Sequence, residues 1–159
     1  MNDDGKYEYQ GKYYVFAGSN EERRKTYSLL WLMYVVCTVL TIASGFIDGA
    51  GLLNTFYVII PYIGEIACLF ALSWNHLKLL TKKDQIKEYI YQTAHAKIAP
   101  SAMMLAFFAI VGILSSVVYS VLNGFDGWKT MIYLVLKILT AVSALLYRNY
   151  FSQSEWIML

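Results

Sequence analysis

Few side chains in this sequence can do chemistry, and the first to weigh is Glu65, a carboxylate set inside the apolar stretch Pro61-Tyr62-Ile63-Gly64-Glu65. An ionisable group at such a position costs roughly 2.5–3.5 kcal/mol by membrane-insertion scales, so it marks a candidate functional site. Pro61 stands one turn earlier and leaves the carbonyl of Tyr57 without its helical donor, which can kink the helix or open a polar pocket. Lys137 is the second intramembrane charge, inside the last apolar run. At 1.5 Å rise per residue the two backbones differ in depth by about 6 Å, which a Lys stem can span. Glu65 and Lys137 are therefore a candidate charged pair with three readings. The pair can fix which helices touch, it can form part of a proton or solute path, or Lys137 can snorkel to the interface without meeting Glu65. On these grounds Glu65→Gln is expected to leave folding nearly intact and Glu65→Lys to impair insertion or assembly.

The remaining reactive types form no motif. His76 and His95 stand apart with no HExxH or Cys/His cluster, and each reads as a surface or capping residue near a helix end. Cys37 and Cys68 fall inside apolar runs, without a CxxC spacing, and read as small packing residues. GxSxG, Walker and GxGxxG patterns are missing, as are paired carboxylates one turn apart within the apolar runs. Asp48 and Asp126 are single loop carboxylates. Hence no catalytic residue, metal site or cofactor is expected, and the chain reads as a non-enzyme.

The elements that must position Glu65 and Lys137 follow from where apolar residues cluster. Of 159 residues, 58% are apolar and 15% charged, against roughly 25% charged in ordinary globular chains. The net charge of +2 gives no electrostatic reason to expect a nucleic acid partner. Four long apolar runs approach or exceed the roughly 18 residues needed to cross a bilayer. In lipid each must be a helix, because every backbone polar group has to bond internally. The sequence thus predicts an all-α integral membrane protein, a four-helix bundle with helices over about 28–46, 53–75, 99–121 and 130–147. Segment 1–26 precedes the transmembrane domain 27–150, the loop 76–98 divides it, and 151–159 is a tail. The first run starts too late and is too long for a cleaved signal peptide, so it is expected to stay as an anchor.

Orientation follows from Lys and Arg. Lys6, Lys12, Arg23, Arg24 and Lys25 precede the first run, and Lys78, Lys82, Lys83, Lys87 and Lys97 lie around the middle loop. Arg148 follows the fourth run, whereas the other two loops hold no basic residue, with Lys129 at the edge of one. The positive-inside rule places both termini and the middle loop in the cytoplasm, in the cell membrane. Trp31, Trp74 and Trp128 near predicted helix ends agree.

The soluble pieces are patterned too. Residues 7–16 set two aromatic-rich runs about Gln10-Gly11, which reads as a short β-hairpin. Tyr7, Tyr9, Tyr13, Tyr14 and Phe16 would give it an aromatic face. An isolated hairpin is marginal in water, so that face needs the headgroup region, the middle loop or another protein to pack on. These five residues are therefore candidate partner-docking positions. Ser19 and Glu22 have the spacing of a capping box, which starts the first helix near Asn20. The middle segment reads as an extension of the second helix, a turn and an interfacial helix, with Pro100 in the first turn of the third span. Its basic face suits anionic lipid or a partner.

Small residues mark close-packing faces: Gly64, Ala67 and Ala71 on the second helix, Ala102, Ala106, Ala109, Ser116 and Ser120 on the third, and Cys37, Thr41 and Gly45 on the first. These are more faces than one bundle needs, which suggests a membrane partner or a homo-oligomer besides the lipid bilayer. Asp-Gly turns in both outer loops, each followed by a Tyr in an aliphatic run, allow either a duplication of helical hairpins or convergent turns. The sequence thus suggests a non-catalytic accessory subunit of a larger membrane complex. The alternative is a small oligomeric solute or ion transporter or channel using Glu65.

Overall fold

The computed structural model describes residues 11–47, 51–52, 55–80, 85–125 and 127–158. In chain order the elements are β1 (Tyr13–Phe16), α1 (Asn20–Gly45), α2 (Phe56–Leu80), β2 (Ile86–Lys87), α3 (Glu88–Asn123), α4 (Gly127–Ser152) and β3 (Trp156–Met158). All four helices are long and apolar enough to cross a membrane. The first turn of α1 is closed as its sequence requires. Ser19 Oγ accepts from the Glu22 amide at 3.2 Å, and Glu22 Oε2 accepts from the Ser19 amide at 2.8 Å.

The helices pack in the order α2–α3–α4–α1, with extensive α2–α3, α3–α4 and α1–α4 contacts. Consecutive α1 and α2 touch far less, and side chains fill the seam between their backbones. The Tyr34 hydroxyl crosses it to donate to Ser73 Oγ at 2.8 Å. Tyr62 of α2 lies against Gly45 of α1, where any side chain at position 45 would displace its ring. The α1–α2 and α3–α4 hairpins therefore do not pack alike, whatever the likeness of their turns.

Two buried stripes set the helix orientations. On α2, Val58, Glu65, Leu72 and Leu79 recur every seventh residue, with Leu69 and His76 between them. On α4, Thr130, Lys137, Ala144 and Phe151 recur likewise, with Tyr133, Thr140 and Tyr147 between. This spacing is that of left-handed bundle packing. On α3 the buried face is mostly small: Ala94, Ala102, Ala106, Ala109, Gly112 and Ser116. Small side chains let helix backbones approach closely, which lipid-immersed bundles use in place of a hydrophobic drive. Ala67 and Ala71 of α2 instead lie exposed on the outer face.

α3 corrects one expectation. Among the described residues no separate interfacial helix precedes the third span; α3 runs unbroken from Glu88 through Pro100 to Asn123. Pro100 stands well inside it, and one missing helical hydrogen bond near Ala96 is tolerated because the flanking residues are good helix formers and neighbouring elements hold the segment.

At one end of the bundle β1 forms the centre of a three-stranded antiparallel sheet in the order β2-β1-β3. Tyr14 faces Ile86 on one side and Met158 on the other. The sheet thus brings residues before α1, between α2 and α3, and after α4 to a common end. The N-terminal arm of the expected hairpin, with Tyr7 and Tyr9, lies outside the described residues. Tyr13, Tyr14 and Phe16 pair with the middle segment and the tail. Two of these rings, still partly exposed, pack on the chain itself. Tyr14 stacks on Tyr91 with centroids 4.0 Å apart, and Phe16 meets Trp156 edge-on at 6.0 Å.

Candidate functional site

Glu65 projects from the buried stripe of α2 and Lys137 from that of α4, and both side chains are fully buried. Lys137 Nζ donates to both carboxylate oxygens of Glu65, each at 2.7 Å. The ammonium also lies over two rings, 4.7 Å from the centroid of Tyr62 and 5.1 Å from that of Tyr133. Such faces carry negative quadrupole density and stabilise a desolvated cation. Of the three sequence readings, the one in which Lys137 snorkels away from Glu65 is excluded by this geometry.

A third helix completes the site. Gly112 of α3 faces the pair so closely that a Cβ there would stand 3.3 Å from Glu65 Oε1 and 3.7 Å from Lys137 Cε. The missing side chain makes room for two charged groups where aliphatics would otherwise pack. Pro61 is buried one turn from Glu65 inside α2. The pair therefore ties α2 to α4 directly, while α3 seals it.

Polar groups continue around this level. The Tyr133 hydroxyl, Ser116 Oγ and Thr41 Oγ1 are buried and have no hydrogen-bond partner among the described residues. Tyr133 is one turn from Lys137 on α4, and Ser116 one turn from Gly112 on α3. Buried hydroxyls of this kind are ordinarily satisfied by water.

A second cluster was missed by sequence reasoning. His76 is not a surface or capping residue, because α2 continues to Leu80 and carries it on the buried stripe. Its Nδ1 is 2.7 Å from the Tyr147 hydroxyl. The ring stacks on Tyr34 and meets Trp31 edge-on, both at 4.5 Å between centroids. The signal lay in the seven-residue stripe, since His76 follows Leu69 by seven positions.

His95 also joins an aromatic run rather than the surface. Rings succeed one another from Tyr14 to Tyr91, His95, Phe151 and Tyr147, and so to His76 and Tyr34. That run links the sheet to the interior of all four helices. Cys37 and Cys68 are free thiols in α1 and α2. Asp48 and Asp126 lie outside the described residues. No group of three or more His, Cys, Asp or Glu side chains comes together among the described residues. In comparison with known proteins, the chain matches no family model, no curated protein and no solved structure.

Proposed function

We propose that this chain is a multi-pass protein of the cell membrane, with both termini cytoplasmic, that serves as a non-catalytic accessory subunit of a larger membrane complex. The observation that carries this reading is the closure of the Glu65–Lys137 pair. One ammonium engages both carboxylate oxygens, in a site without solvent exposure. A coupling carboxylate must exchange its partner for a proton or solute; a carboxylate held this way is suited to fixing helix positions instead. The exposed small residues Ala67 and Ala71 on the outer face of α2 suit close contact with another helix. Because the sheet gathers the N-terminal, middle and C-terminal segments at one end, the basic residues near all three segments act on one side of the membrane, which supports the cytoplasmic assignment.

The alternative, an oligomeric solute or ion transporter, draws on the buried hydroxyls of Ser116 and Tyr133 near the pair, which have no hydrogen-bond partner among the described residues. One experiment separates the two. Purification in mild detergent is expected to yield a stoichiometric membrane partner, and deletion of residues 2–18 to weaken its capture while the helices stay inserted. The charge-free double variant Glu65→Leu with Lys137→Met should not change any ion or solute flux in liposomes. A clean homo-oligomer whose flux disappears in that variant would establish the transporter instead.

Orientation has its own test. Cysteines introduced as Ala50→Cys and Phe125→Cys should react with a membrane-impermeant reagent outside intact cells, and Gln85→Cys should not. Strong outside labelling at position 85 reverses the topology.

A further inference from the structure

The outer face of α1 carries a recess of about 730 Å³ lined by Glu21, Arg24, Lys25, Ser28, Leu29 and Leu32. These positions recur at three- and four-residue intervals, so they form a single stripe along the helix. Their chemistry changes in a fixed order along that stripe: a carboxylate, two cations, a hydroxyl, then aliphatic side chains continuing into the exposed Val35, Val36 and Val39. The apolar end runs into the part of α1 that is apolar enough to cross a membrane, which would set the charged end at the water boundary in either orientation of the chain.

We infer that this stripe binds an aminophospholipid of the phosphatidylethanolamine type. Such a lipid presents the complementary order: ammonium, phosphate, glycerol ester, acyl chain. At 1.5 Å per residue, Glu21 stands about 5 Å from Arg24 and Lys25 along the axis, and Ser28 about 5 Å further on. That rise lets the carboxylate receive the ammonium while the two cations hold the phosphate. Charge-assisted hydrogen bonds to phosphate are the strong component of such recognition. Ser28 then meets the ester region, and Leu29 and Leu32 flank the first acyl methylenes. None of Glu21, Arg24 and Lys25 forms an ion pair with another described residue, so their charges are available to a ligand. A basic patch alone would favour any anionic lipid. The carboxylate at the outermost position is what distinguishes the ethanolamine headgroup, because it repels a lipid that carries net negative charge and no ammonium. The quaternary ammonium of phosphatidylcholine has no N–H to donate to it.

This site is independent of the accessory-subunit reading and requires only that the helices lie in a membrane. Its test uses the full-length protein in detergent, exchanged with defined lipids and measured by native mass spectrometry. Phosphatidylethanolamine should be retained about fivefold over both phosphatidylglycerol and phosphatidylcholine, the ratio expected of one partly exposed ion pair. Glu21→Gln should abolish the preference over phosphatidylglycerol. Arg24→Gln with Lys25→Gln should reduce retention of all three lipids. These residues are exposed, so circular dichroism should show wild-type helicity in both variants. Equal retention of the three lipids, a preference for phosphatidylglycerol, or an undiminished preference in Glu21→Gln would each overturn the assignment.

Discussion

At the level of Glu65, helices are joined by one charge pair enclosed among rings and a glycine. At the sheet-bearing end, segments far apart in sequence are joined by short strands and a run of aromatic contacts. The solvents account for the difference. Inside a bilayer the lipid tails are as apolar as the helix surfaces, so apolar contact hardly selects one helix pairing over another. A buried carboxylate selects strongly, because only the register that delivers an ammonium satisfies it. At the water boundary, burial of rings is itself favourable, and many modest contacts share the task. Specificity is therefore concentrated in two residues at one level and dispersed over about a dozen at the other.

Concentrated specificity should break sharply. Glu65→Gln leaves the Lys137 ammonium buried without its counter-charge, which reverses the sequence-based expectation that this change is tolerated. Either Glu65→Leu or Lys137→Met alone should destabilise the helix bundle by about 3–5 kcal/mol. The double variant Glu65→Leu with Lys137→Met should lie far closer to wild type, since apolar side chains of similar volume suit the site. Unfolding titrations in mixed detergent measure all four proteins, and the coupling is the departure from additivity. Additive losses would show that the two side chains act separately and would remove the basis of the comparison.

Much of the membrane level was legible in the sequence. Glu65 and Lys137 stand out because charge is rare in such runs, and a depth difference within reach of a Lys stem made their meeting testable. Gly112 was not singled out, since a lone glycine in an apolar helix has no partner until the neighbouring helices are placed. The sheet-bearing end was read only in part. Tyr13, Tyr14 and Phe16 carry a strand pattern, but their partners are residues 86–87 and 156–158, too short to register as strands by themselves. The strands are defined by pairing across three chain segments, and pairing of that range leaves no local periodicity. His76 was misplaced for a related reason: it stands in the extension of the second helix beyond the apolar run, where a position looks exposed until the neighbouring helices are placed.

Dispersed specificity should fail gently, and Tyr14 offers the smallest clean perturbation. Its ring stacks on Tyr91 with planes 10° apart, and its backbone sits between both neighbouring strands. Tyr14→Ala removes one ring pair while leaving the backbone bonds of β1 in place, including the bordering bond from the Ala17 amide to the Glu155 carbonyl at 3.0 Å. The loss should be about 0.5–1.5 kcal/mol, the usual worth of an aromatic pair. That is enough to raise the open population of a small sheet but not to separate helices locked elsewhere. Hydrogen exchange should therefore quicken at the β1 and β3 amides, by up to about tenfold. Exchange around residues 62–69 of α2 and 133–141 of α4 should stay at the wild-type rate, because the charge pair holds that level on its own. If those helical amides lost protection together with the strands, the two regions would form one cooperative unit, and the aromatic run from Tyr14 to His76 would be what transmits the change.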